Sequence, residues 1–406
     1  MLRRIKTLCL IALLFASCQR APIPENAAWN GSVQLPEVKV PIHMELNLAG
    51  SKPAGFFING TEKTPIPEIA LQGDSITFNF SEYGADMRAT WNGKLLTGEY
   101  RRIRSSGTKT FPFTLSPEPF LKPRSTAAPE PVGDFQVTFA AIDRTPDDPV
   151  TVAKFWKENG AYLGTFIAPD GDYGMLEGIA DAQGVQFSRF TGWQAIAIEL
   201  KPDGAGWGGR FHAASADSPR GFSLQSSAQL RDLQSANEPS MKNPNGPFAF
   251  ACTSLEGKTV GNTHDSFKGK ALAVDIMGTW CHNCMDESPV LEQLRNEYGN
   301  DGLEVVGLSF EINDDVELGK KNLRLFRDRF GLTYPLLYCG SMDDANLDKR
   351  IRSQMDNVFA FPTTLFIDKK GKVQSIHSGF RGPGTGDQYP LQVQHLRELA
   401  KQAIGK

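Results

Sequence analysis

Two cysteines, Cys281 and Cys284, stand two residues apart at the point where an apolar run gives way to a helical pattern. The run KALAVDIMG before them is almost continuously apolar, as expected of a strand that is buried on both faces. The residues CMDESPVLEQLRNEYG after Asn283 have apolar positions at helical spacing. Further strands and helices alternate downstream, so this part of the chain is predicted to form an α/β layer fold with the cysteine pair at a strand-to-helix turn.

The position of the pair predicts its chemistry. Cys281 falls at the start of the helix, where unpaired backbone N–H groups and the positive end of the helix dipole favour a thiolate. Such cysteines have pKa values well below the ordinary value of about 8.5. Cys284 lies one turn further on, within reach of the first sulfur. The pattern therefore indicates an attacking and a resolving thiol, which open a disulfide through a mixed-disulfide intermediate.

The segment FKGKALAVDIMGTWC, with WCxxC at a strand-to-helix junction, resembles the thioredoxin superfamily. It is most similar to the TlpA/ResA-type thiol-disulfide oxidoreductases of the bacterial envelope, over about residues 244–404. The CxxCxxExP arrangement from Cys281 to Pro289 and the hairpin TLFIDKKGKV also match that type. The resemblance implies a protein-disulfide oxidoreductase that acts, in the direction most typical of the type, as a reductase.

The same resemblance assigns roles to a second group of residues. Pro362 matches the cis-proline that holds the partner's extended chain. Glu287 matches the acid near the buried thiol. Asp275 lies where thioredoxins keep a buried acid beneath the second cysteine, and a carboxyl in an apolar strand has a raised pKa and can take a proton from the resolving thiol. The implied substrate-positioning residues are Trp280, Phe361 and Thr363.

Several alternatives remain open at this site. The alternative for Glu287 is an exposed first-turn glutamate favoured by the helix dipole. Asn283 stands where these families often have proline. His282 is either an imidazolium that stabilises the thiolate and makes the pair more oxidising, or a solvated loop residue. The direction of electron flow therefore stays open. The glycine-rich loop GFRGPGTGDQYP, residues 379–390, has no assignment.

The N-terminus has the three-part build of a secretory signal: the basic MLRRIK, the apolar TLCLIALLFA, and FASC ending at Cys18. The apolar run is too short for a stable membrane span. The site resembles the lipobox of bacterial lipoproteins, with Phe15 where leucine is usual. That resemblance implies lipid on Cys18 and an envelope protein that faces the periplasm. An ordinary secretion signal with an incidental cysteine is the alternative.

Composition divides the rest of the chain into two β-rich blocks and the α/β domain, joined by proline-rich segments. The second β block repeats the order and spacing of strands in the first, which a duplicated meander, closed as a barrel or packed as two sheets, explains about as well as chance does. The fold class is predicted to be α+β multidomain, an N-terminal all-β module followed by an α/β thioredoxin-like domain. The boundaries are a signal peptide at 1–17, a tether at 18–28, β block one at 29–120, a linker at 121–133, β block two at 134–234, a linker at 235–247 and the thioredoxin-like domain at 248–406.

Three functions other than dithiol exchange remain open for a chain with this cysteine pair. A metal chaperone could use the pair with His282, but structural zinc sites usually need a second CxxC or CxxH. A redoxin-like peroxidase needs a Thr or Ser and an arginine at the reactive sulfur, and Thr279 lies two residues upstream. A third possibility is a β module that binds a partner or glycan, with the CxxC as a buried staple. No metal is predicted.

Partners and cofactors follow from what the chain contains. The formal net charge of −3 and the absence of a basic patch exclude nucleic acid as an expected partner. No Rossmann glycine fingerprint is present, so no cofactor is predicted, and electrons must come from a membrane thiol carrier. The expected partners are exported proteins with disulfides or thiols. Cys252 and Cys339 are interpreted as small buried hydrophobes, with a structural disulfide left open.

Overall fold

The computed structural model describes residues 21–104, 107–119, 130–140, 151–168, 171–204, 206–226, 238–312, 314–358 and 360–406. The predicted signal peptide and the predicted lipidation site at Cys18 lie outside these residues. Among the helices of the described ranges, none combines the length and the apolar character needed to cross a membrane.

The first β block forms one antiparallel sheet in the order β4-β3-β2-β1-β9-β8-β7-β6-β5. Its strands are β1 Asn26–Gln34, β2 Lys39–Asn47, β3 Ala54–Asn59, β4 Glu62–Pro65, β5 Glu68–Gln72, β6 Ser75–Phe80, β7 Ala85–Trp91, β8 Leu96–Arg104 and β9 Gly107–Ser116. β1 pairs with β9, so the sheet curls into a ring that stays open between β4 and β5. Pro65 and Pro67 flank this gap and lack the N–H groups that pairing would need.

The second β block forms a closed barrel. Its strands are β10 Gly133–Phe139, β11 Thr151–Glu158, β12 Ala161–Ala168, β13 Gly171–Asp172, β14 Leu176–Asp181, β15 Gly184–Phe190, β16 Ala195–Asp203, β17 Gly206–Ala213 and β18 Arg220–Ser226. β10 pairs with both β11 and β18, and β12 pairs with both β11 and β14, which closes an up-and-down ring. A separate aromatic and aliphatic core fills this barrel.

The two β blocks share one strand plan. Both contain nine strands among the described residues, each pairs its first strand with its last, and in each the short fourth strand pairs with the third. The repeat seen in the sequence is therefore a repeat of topology, realised once as an open ring and once as a closed barrel. This confirms the predicted all-β N-terminal module. β1 begins at Asn26, so the strand includes the last residues of the segment 18–28 that was predicted to be a tether.

The C-terminal domain is built on a sheet of order β21-β20-β24-β23-β22-β26-β27. Its strands are β20 Ala251–Ser254, β21 Thr259–Gly261, β22 Ala271–Met277, β23 Leu303–Glu311, β24 Leu336–Ser341, β26 Thr363–Ile367 and β27 Val373–Ser378, and its helices are α1 His282–Tyr298, α2 Val316–Phe330, α3 Asp344–Leu347 and α4 Gln388–Ile404. A two-stranded ribbon joins β19 Ser240–Met241 to β25 Met355–Asp356. β22, β23 and β24 are parallel and β26 runs antiparallel to β22, which confirms the predicted α/β domain.

Local signals explain the helix ends that frame the site. α2 begins after Asp315, whose side chain accepts hydrogen bonds from the backbone N–H groups of Glu317 and Leu318. It ends at Gly331, which takes the left-handed conformation that glycine adopts readily. α1 follows β22 after a short turn and is capped by Cys281 itself.

The β module packs against the C-terminal domain at the start of α1. From the first sheet, the turn between β6 and β7 places Ser81 and Glu82 beside α2, where Ser81 Oγ lies 3.2 Å from the side-chain oxygen of Asn322. From the barrel, Gly171 forms a parallel bridge with Phe380 of the glycine-rich loop. The two β units meet through reciprocal hydrogen bonds of 3.0 and 2.9 Å between the Asn59 side chain and the Phe190 backbone. The cysteine pair thus lies where three units meet.

Candidate active site

Cys281 occupies the N-cap position of α1, as the sequence predicts. Its backbone is extended, and the N–H group of Cys284 donates a hydrogen bond of 3.2 Å to its sulfur. A thiolate at this sulfur would receive that hydrogen bond and the positive end of the helix dipole. The geometry therefore lowers the cost of ionising Cys281 in the reduced state.

Cys284 is disulfide-bonded to Cys281 and is fully buried. Cys281 is itself only 6% exposed. An attacking thiol at a helix start is expected to be open to solvent, and this burial differs from that expectation. It arises because the β module covers the start of α1: a Cβ atom on Gly171 of the barrel would overlap the side-chain amide of Asn283, between the two cysteines.

The loop before β26 lies against the reactive sulfur. The Phe361–Pro362 peptide bond is cis, and Cys281 Sγ lies 3.4 Å from the carbonyl oxygen of Phe361. Trp280 packs edge-on against Phe361 with ring centroids 5.6 Å apart, and its indole N–H donates to the carbonyl of Phe310 at 2.8 Å. The predicted cis-proline, Trp280 and Phe361 are thus brought together at Cys281.

Thr363 is predicted to position the substrate, but its side chain is enclosed by the protein. It is fully buried, and its hydroxyl donates to the carbonyl of Ala360 at 2.8 Å and lies 2.9 Å from the hydroxyl of Ser378. A side chain held in this way stabilises the loop around Pro362. It has no surface with which to touch a substrate directly.

Asp275 lies in the middle of β22 with no exposure, and neither carboxylate oxygen has a hydrogen-bond partner among the described residues. Side chains alternate across a strand, so Asp275 shares a face with Ala273 and Met277, which belong to the same core cluster as Cys284. Burial raises the pKa of Asp275 to about 8. This carboxyl is therefore protonated at neutral pH and close to the point at which it can exchange a proton.

Glu287 is also fully buried, which excludes the alternative of an exposed first-turn glutamate. Burial, followed by the nearby charge of Asp275, raises the pKa of Glu287 well above its ordinary value. The hydroxyl of Thr364, which faces Asp275 across the β22–β26 pairing, lies 3.2 and 3.3 Å from the two carboxyl oxygens. Two coupled acids therefore lie on the side of α1 that carries the resolving thiol.

His282 contradicts both alternatives drawn from the sequence. Its side chain is 11% exposed, so it is not a solvated loop residue. Burial and then the charge of Arg189 lower the pKa of His282 to about 4, so the imidazole is neutral at pH 7 and supplies no positive charge to Cys281. Its Nε2 lies 3.4 Å from a carboxylate oxygen of Asp286, one turn along α1.

A group of buried ionisable residues surrounds His282 where the three units meet. Arg189 of the barrel is fully buried and makes two hydrogen bonds, of 2.7 and 2.6 Å, to Glu62 of the first sheet. Although burial opposes it, the Arg189 guanidinium lowers the pKa of Glu62 to about 2. Burial raises the pKa of Asp286 well above its ordinary range, with the charges of Glu62 and Asp172 adding to the effect.

The glycine-rich loop completes this junction. The N–H of Gly382 donates to Asp172 at 2.6 Å, and the N–H of Gly174 donates to the same side chain at 2.7 Å. Burial raises the pKa of Asp172 to about 6 in spite of these bonds. A Cβ atom on Gly382 would overlap the carboxyl group of Asp286, so glycine is required for this approach. The loop that the sequence left unassigned therefore joins the barrel to the second turn of α1.

A cavity of about 650 Å³ opens between the β module and the C-terminal domain and reaches Cys281. Its walls include Trp280, Cys281 and Phe361 from the C-terminal domain, and Arg102 and Trp193 from the β module. Sequence reasoning did not find the β-module residues of this cavity, because each lies in a strand or turn that is ordinary by itself. Only the packing of three units brings them to the sulfur.

Cys252 and Cys339 form a disulfide between β20 and β24. The residues are 87 positions apart, and both are buried. The sequence favours two free buried thiols at these positions and leaves a pairing open. The structure shows the pairing, and the preference for free thiols is wrong. The pairing of β20 with β24 brings the two side chains within bonding distance, and no local pattern reveals it.

Two observations bear on the rival functions. In the described part of the chain, no group of three His, Cys, Asp or Glu side chains is arranged to hold a metal ion. The hydroxyl of Thr279 donates to Glu311 at 2.7 Å, and Thr279 is fully buried. This hydroxyl is therefore committed to Glu311.

A known protein family matches part of the C-terminal domain. Residues 246–376 match the AhpC/TSA family. The thioredoxin-like protein YneN of Bacillus subtilis is 37% identical over 130 residues, which are 32% of this chain and 68% of YneN. The thiol-disulfide oxidoreductase ResA of Geobacillus thermodenitrificans is 32% identical over 133 residues, 32% of this chain and 66% of ResA.

Two solved structures show similarity to part of the chain. A putative thiol:disulfide interchange protein DsbE from Chlorobium tepidum covers 40% of this chain and 99% of its own length, with 21% identity and a TM-score of 0.32. StoA from Bacillus subtilis covers 38% of this chain and 98% of its own length, with 18% identity and a TM-score of 0.27.

Proposed function

The chain belongs to the thioredoxin-like thiol-disulfide oxidoreductases, and from that membership we propose that its Cys281–Cys284 dithiol reduces disulfides of exported proteins. One observation carries the proposal. The sulfur of Cys281 caps α1, accepts the N–H of Cys284 and touches the cis-proline loop, while Cys284 is bonded to it from behind. A thiol that is easily ionised, with a second thiol poised to close a ring, is the requirement for dithiol exchange.

The reaction has two steps. The Cys281 thiolate attacks one sulfur of the partner's disulfide, forms a mixed disulfide and releases the other sulfur as a thiolate. The Cys284 thiol then loses its proton and attacks Cys281, which releases the second partner thiolate and closes the Cys281–Cys284 disulfide. Two electrons pass to the partner. The ionised fraction of Asp275, whose pKa is about 8, accepts the proton from Cys284 and returns it, and Glu287 lies beside it on the buried side of α1.

The remaining parts of the proposal concern location and partners. We place the protein in the cell envelope, anchored by lipid on Cys18 and facing the periplasm, with a membrane thiol carrier as the electron donor. The Cys252–Cys339 disulfide supports an oxidising compartment, where structural disulfides persist. The neutral His282 supports the reductive direction, because it removes the cationic stabilisation of thiolate that favours oxidising pairs.

The test is capture of the intermediate. The Cys284→Ser variant of the full chain, incubated with an envelope extract, should accumulate mixed disulfides that dithiothreitol releases, because the resolving thiol is missing. The Cys281→Ser variant is the matched control and should trap nothing. If the Cys284→Ser variant also traps no protein, the proposal is wrong.

A peroxidase is the second candidate, because the matching family model is that of the AhpC/TSA family. The position of Thr279 argues against a peroxidase, because its hydroxyl donates a hydrogen bond to Glu311. Single-turnover oxidation of the reduced protein by hydrogen peroxide decides between the two. A rate no greater than that of free cysteine excludes the peroxidase, and a rate many orders of magnitude greater would replace the exchange function.

A further inference from the structure

The cavity that reaches Cys281 has the dimensions of a small-molecule site. Its volume of about 650 Å³ lies within the range of about 300–1,000 Å³ that ligand pockets occupy. Aromatic rings form much of its wall: Tyr83 and Trp193 stack with centroids 4.4 Å apart, and Trp280 and Phe361 also line the cavity. With Cys281 only 6% exposed, a disulfide reaches the sulfur by entering this space.

Arg102 is the unusual polar residue of the cavity wall. It lies on β8 and is 6% exposed. Its guanidinium nitrogens Nε and Nη1 are buried and have no hydrogen-bond partner among the residues that the structure describes. A buried cation is costly unless an anion or several acceptors compensate it. A guanidinium with two unpartnered nitrogens in a cavity wall therefore points to an anion that enters from outside.

The other charged residues of the wall already have partners. Arg352 pairs with Asp344 at 2.8 Å and with Asp348 at 3.0 Å. Arg220 lies over the rings of Phe139 and Phe211, 5.1 and 5.5 Å from their centroids. Asp172 accepts two backbone N–H groups. Arg102 is thus the charged residue of the described wall in which Nε and Nη1 still lack a hydrogen-bond acceptor.

We propose that this cavity binds the disulfide that Cys281 attacks, and that Arg102 binds a carboxylate of that substrate. The proposal rests on the exchange function above and narrows its substrate class to disulfides that carry a carboxylate. A guanidinium suits this task because its fork of donors matches a carboxylate in two parallel hydrogen bonds. Such a carboxylate belongs either to a small free disulfide or to an acidic residue beside a cysteine in an extended chain.

The chemistry is balanced within the reduced protein. The Cys281 thiolate forms a bond to one sulfur of the substrate, the substrate's S–S bond breaks, and its distant half leaves as a thiolate. Attack by Cys284 on Cys281 releases the half that Arg102 holds. The dithiol loses two electrons and the substrate gains them, so one turnover needs no further reductant.

Three disulfides of matched length test the assignment: 3,3′-dithiodipropionate with two carboxylates, the neutral bis(2-hydroxyethyl) disulfide, and cystamine with two ammonium groups. The full chain is reduced and desalted, and the loss of free Cys281 in a single turnover is followed by alkylation and mass spectrometry. Each rate is divided by that of the same disulfide with free dithiothreitol. We expect a preference of about tenfold to a hundredfold for dithiodipropionate over the neutral disulfide, the range of a charge-assisted hydrogen bond.

The variants make the test specific to Arg102. Arg102→Met should abolish the preference and Arg102→Lys should retain part of it, with the preference taken as the ratio of the two rates within each variant and the fold checked by far-ultraviolet circular dichroism. Arg88→Met is the matched control, because Arg88 lies on the neighbouring β7 with a side chain that is 61% exposed; it should change nothing. A wild type without the preference, or an Arg102→Met variant that keeps it, overturns the assignment.

Two further outcomes separate related questions. A wild type that reacts with none of the three disulfides overturns the exchange function itself, and the substrate proposal with it. Octapeptide disulfides whose cysteine follows Asp or Asn distinguish the two sources of the carboxylate. An Arg102-dependent preference for the Asp peptide that exceeds the one for dithiodipropionate identifies an acidic protein segment, and a smaller one identifies a small free disulfide.

Discussion

The phenol oxygen of Tyr83 lies 2.9 Å from the sulfur of Met285, the residue that follows Cys284. Tyr83 belongs to the turn between β6 and β7 of the first sheet, and both residues are buried. The β module is thus fixed to the first turn of the helix that carries the reactive pair. The β module therefore covers Cys281 as part of the packed structure. The stability of this packing determines how readily a reagent or substrate reaches the sulfur.

The ion pair beside Tyr83 offers a way to weaken this cover. Glu82 and Arg329 pair with side chains that are 2% and 6% exposed. Removing one partner of a buried pair costs about 3–5 kcal/mol, because the other charge stays buried. We expect Glu82→Ala to raise the rate at which iodoacetamide alkylates reduced Cys281 by at least about tenfold, the factor that 1.4 kcal/mol represents. Lys63→Ala, at an exposed pair with Glu45, is the control; an unchanged rate in Glu82→Ala would show that the pair does not hold the cover.

The resolving step should depend on Asp275. Its carboxyl lies on the core face shared with Cys284, and burial brings its pKa to about 8. Loss of a positioned general base slows proton transfer by about 10²–10⁴-fold. We therefore expect Asp275→Asn to leave the attack by Cys281 unchanged but to slow release of a mixed disulfide with glutathione by about 10²-fold. Rapid-quench analysis resolves the two steps, and equal slowing of both would contradict the assigned role.

Asp275 should also affect the pH dependence of stability. The carboxyl titrates near 3.8 when unfolded and near 8 when folded, so its contribution is complete below pH 3.8 and is lost as pH rises towards 8. Between pH 5 and 7 the free energy of unfolding of the wild type should fall, relative to that of Asp275→Asn, by about 1.4 kcal/mol per pH unit. Urea denaturation of both proteins at these pH values measures the difference. Parallel profiles would show that the buried carboxyl titrates normally.

The Cys252–Cys339 disulfide should act on stability alone. It links strands 87 residues apart at the far side of the sheet from α1, and a cross-link of this kind typically contributes about 2–4 kcal/mol by restricting the unfolded chain. We expect the free energy of unfolding of the Cys252→Ala, Cys339→Ala double variant, measured by urea denaturation, to be lower by an amount in that range. The exchange rates at Cys281 should be unchanged. A loss of exchange activity at temperatures where the variant stays folded would contradict a purely structural role.

What the sequence could predict depended on local chemistry. The N-cap position of Cys281, the burial of Asp275 in β22 and the end of α2 at Gly331 follow from a few neighbouring residues, and the structure agrees. The β-rich character of the two N-terminal blocks was visible for the same reason, since alternation and turns are short-range signals.

What the sequence could not predict depends on packing between distant segments. Arg102 stands in YRRIR among other arginines, and nothing in that run distinguishes the one that lines the cavity. His282 looks like a charged neighbour of Cys281 until the barrel brings Arg189 and Glu62 to it. The burial of Cys281 has the same origin. Each of these features depends on how the three units meet, and no single segment specifies it.

His282 supplies the last prediction. Its pKa is about 4 in the folded protein and 6.5 when unperturbed, so the folded state favours the neutral ring. Its contribution to stability is complete above pH 6.5 and is lost as pH falls towards 4, and His282→Asn should therefore lose less stability than the wild type over that interval. Because a neutral ring adds no charge, the pKa of the Cys281 thiol, read from the pH dependence of alkylation, should change by less than about 0.5 unit, whereas loss of an adjacent opposite charge shifts a pKa by about 1–3 units. A rise of one unit or more in the variant would show that the imidazole is charged and that the pair is built to oxidise.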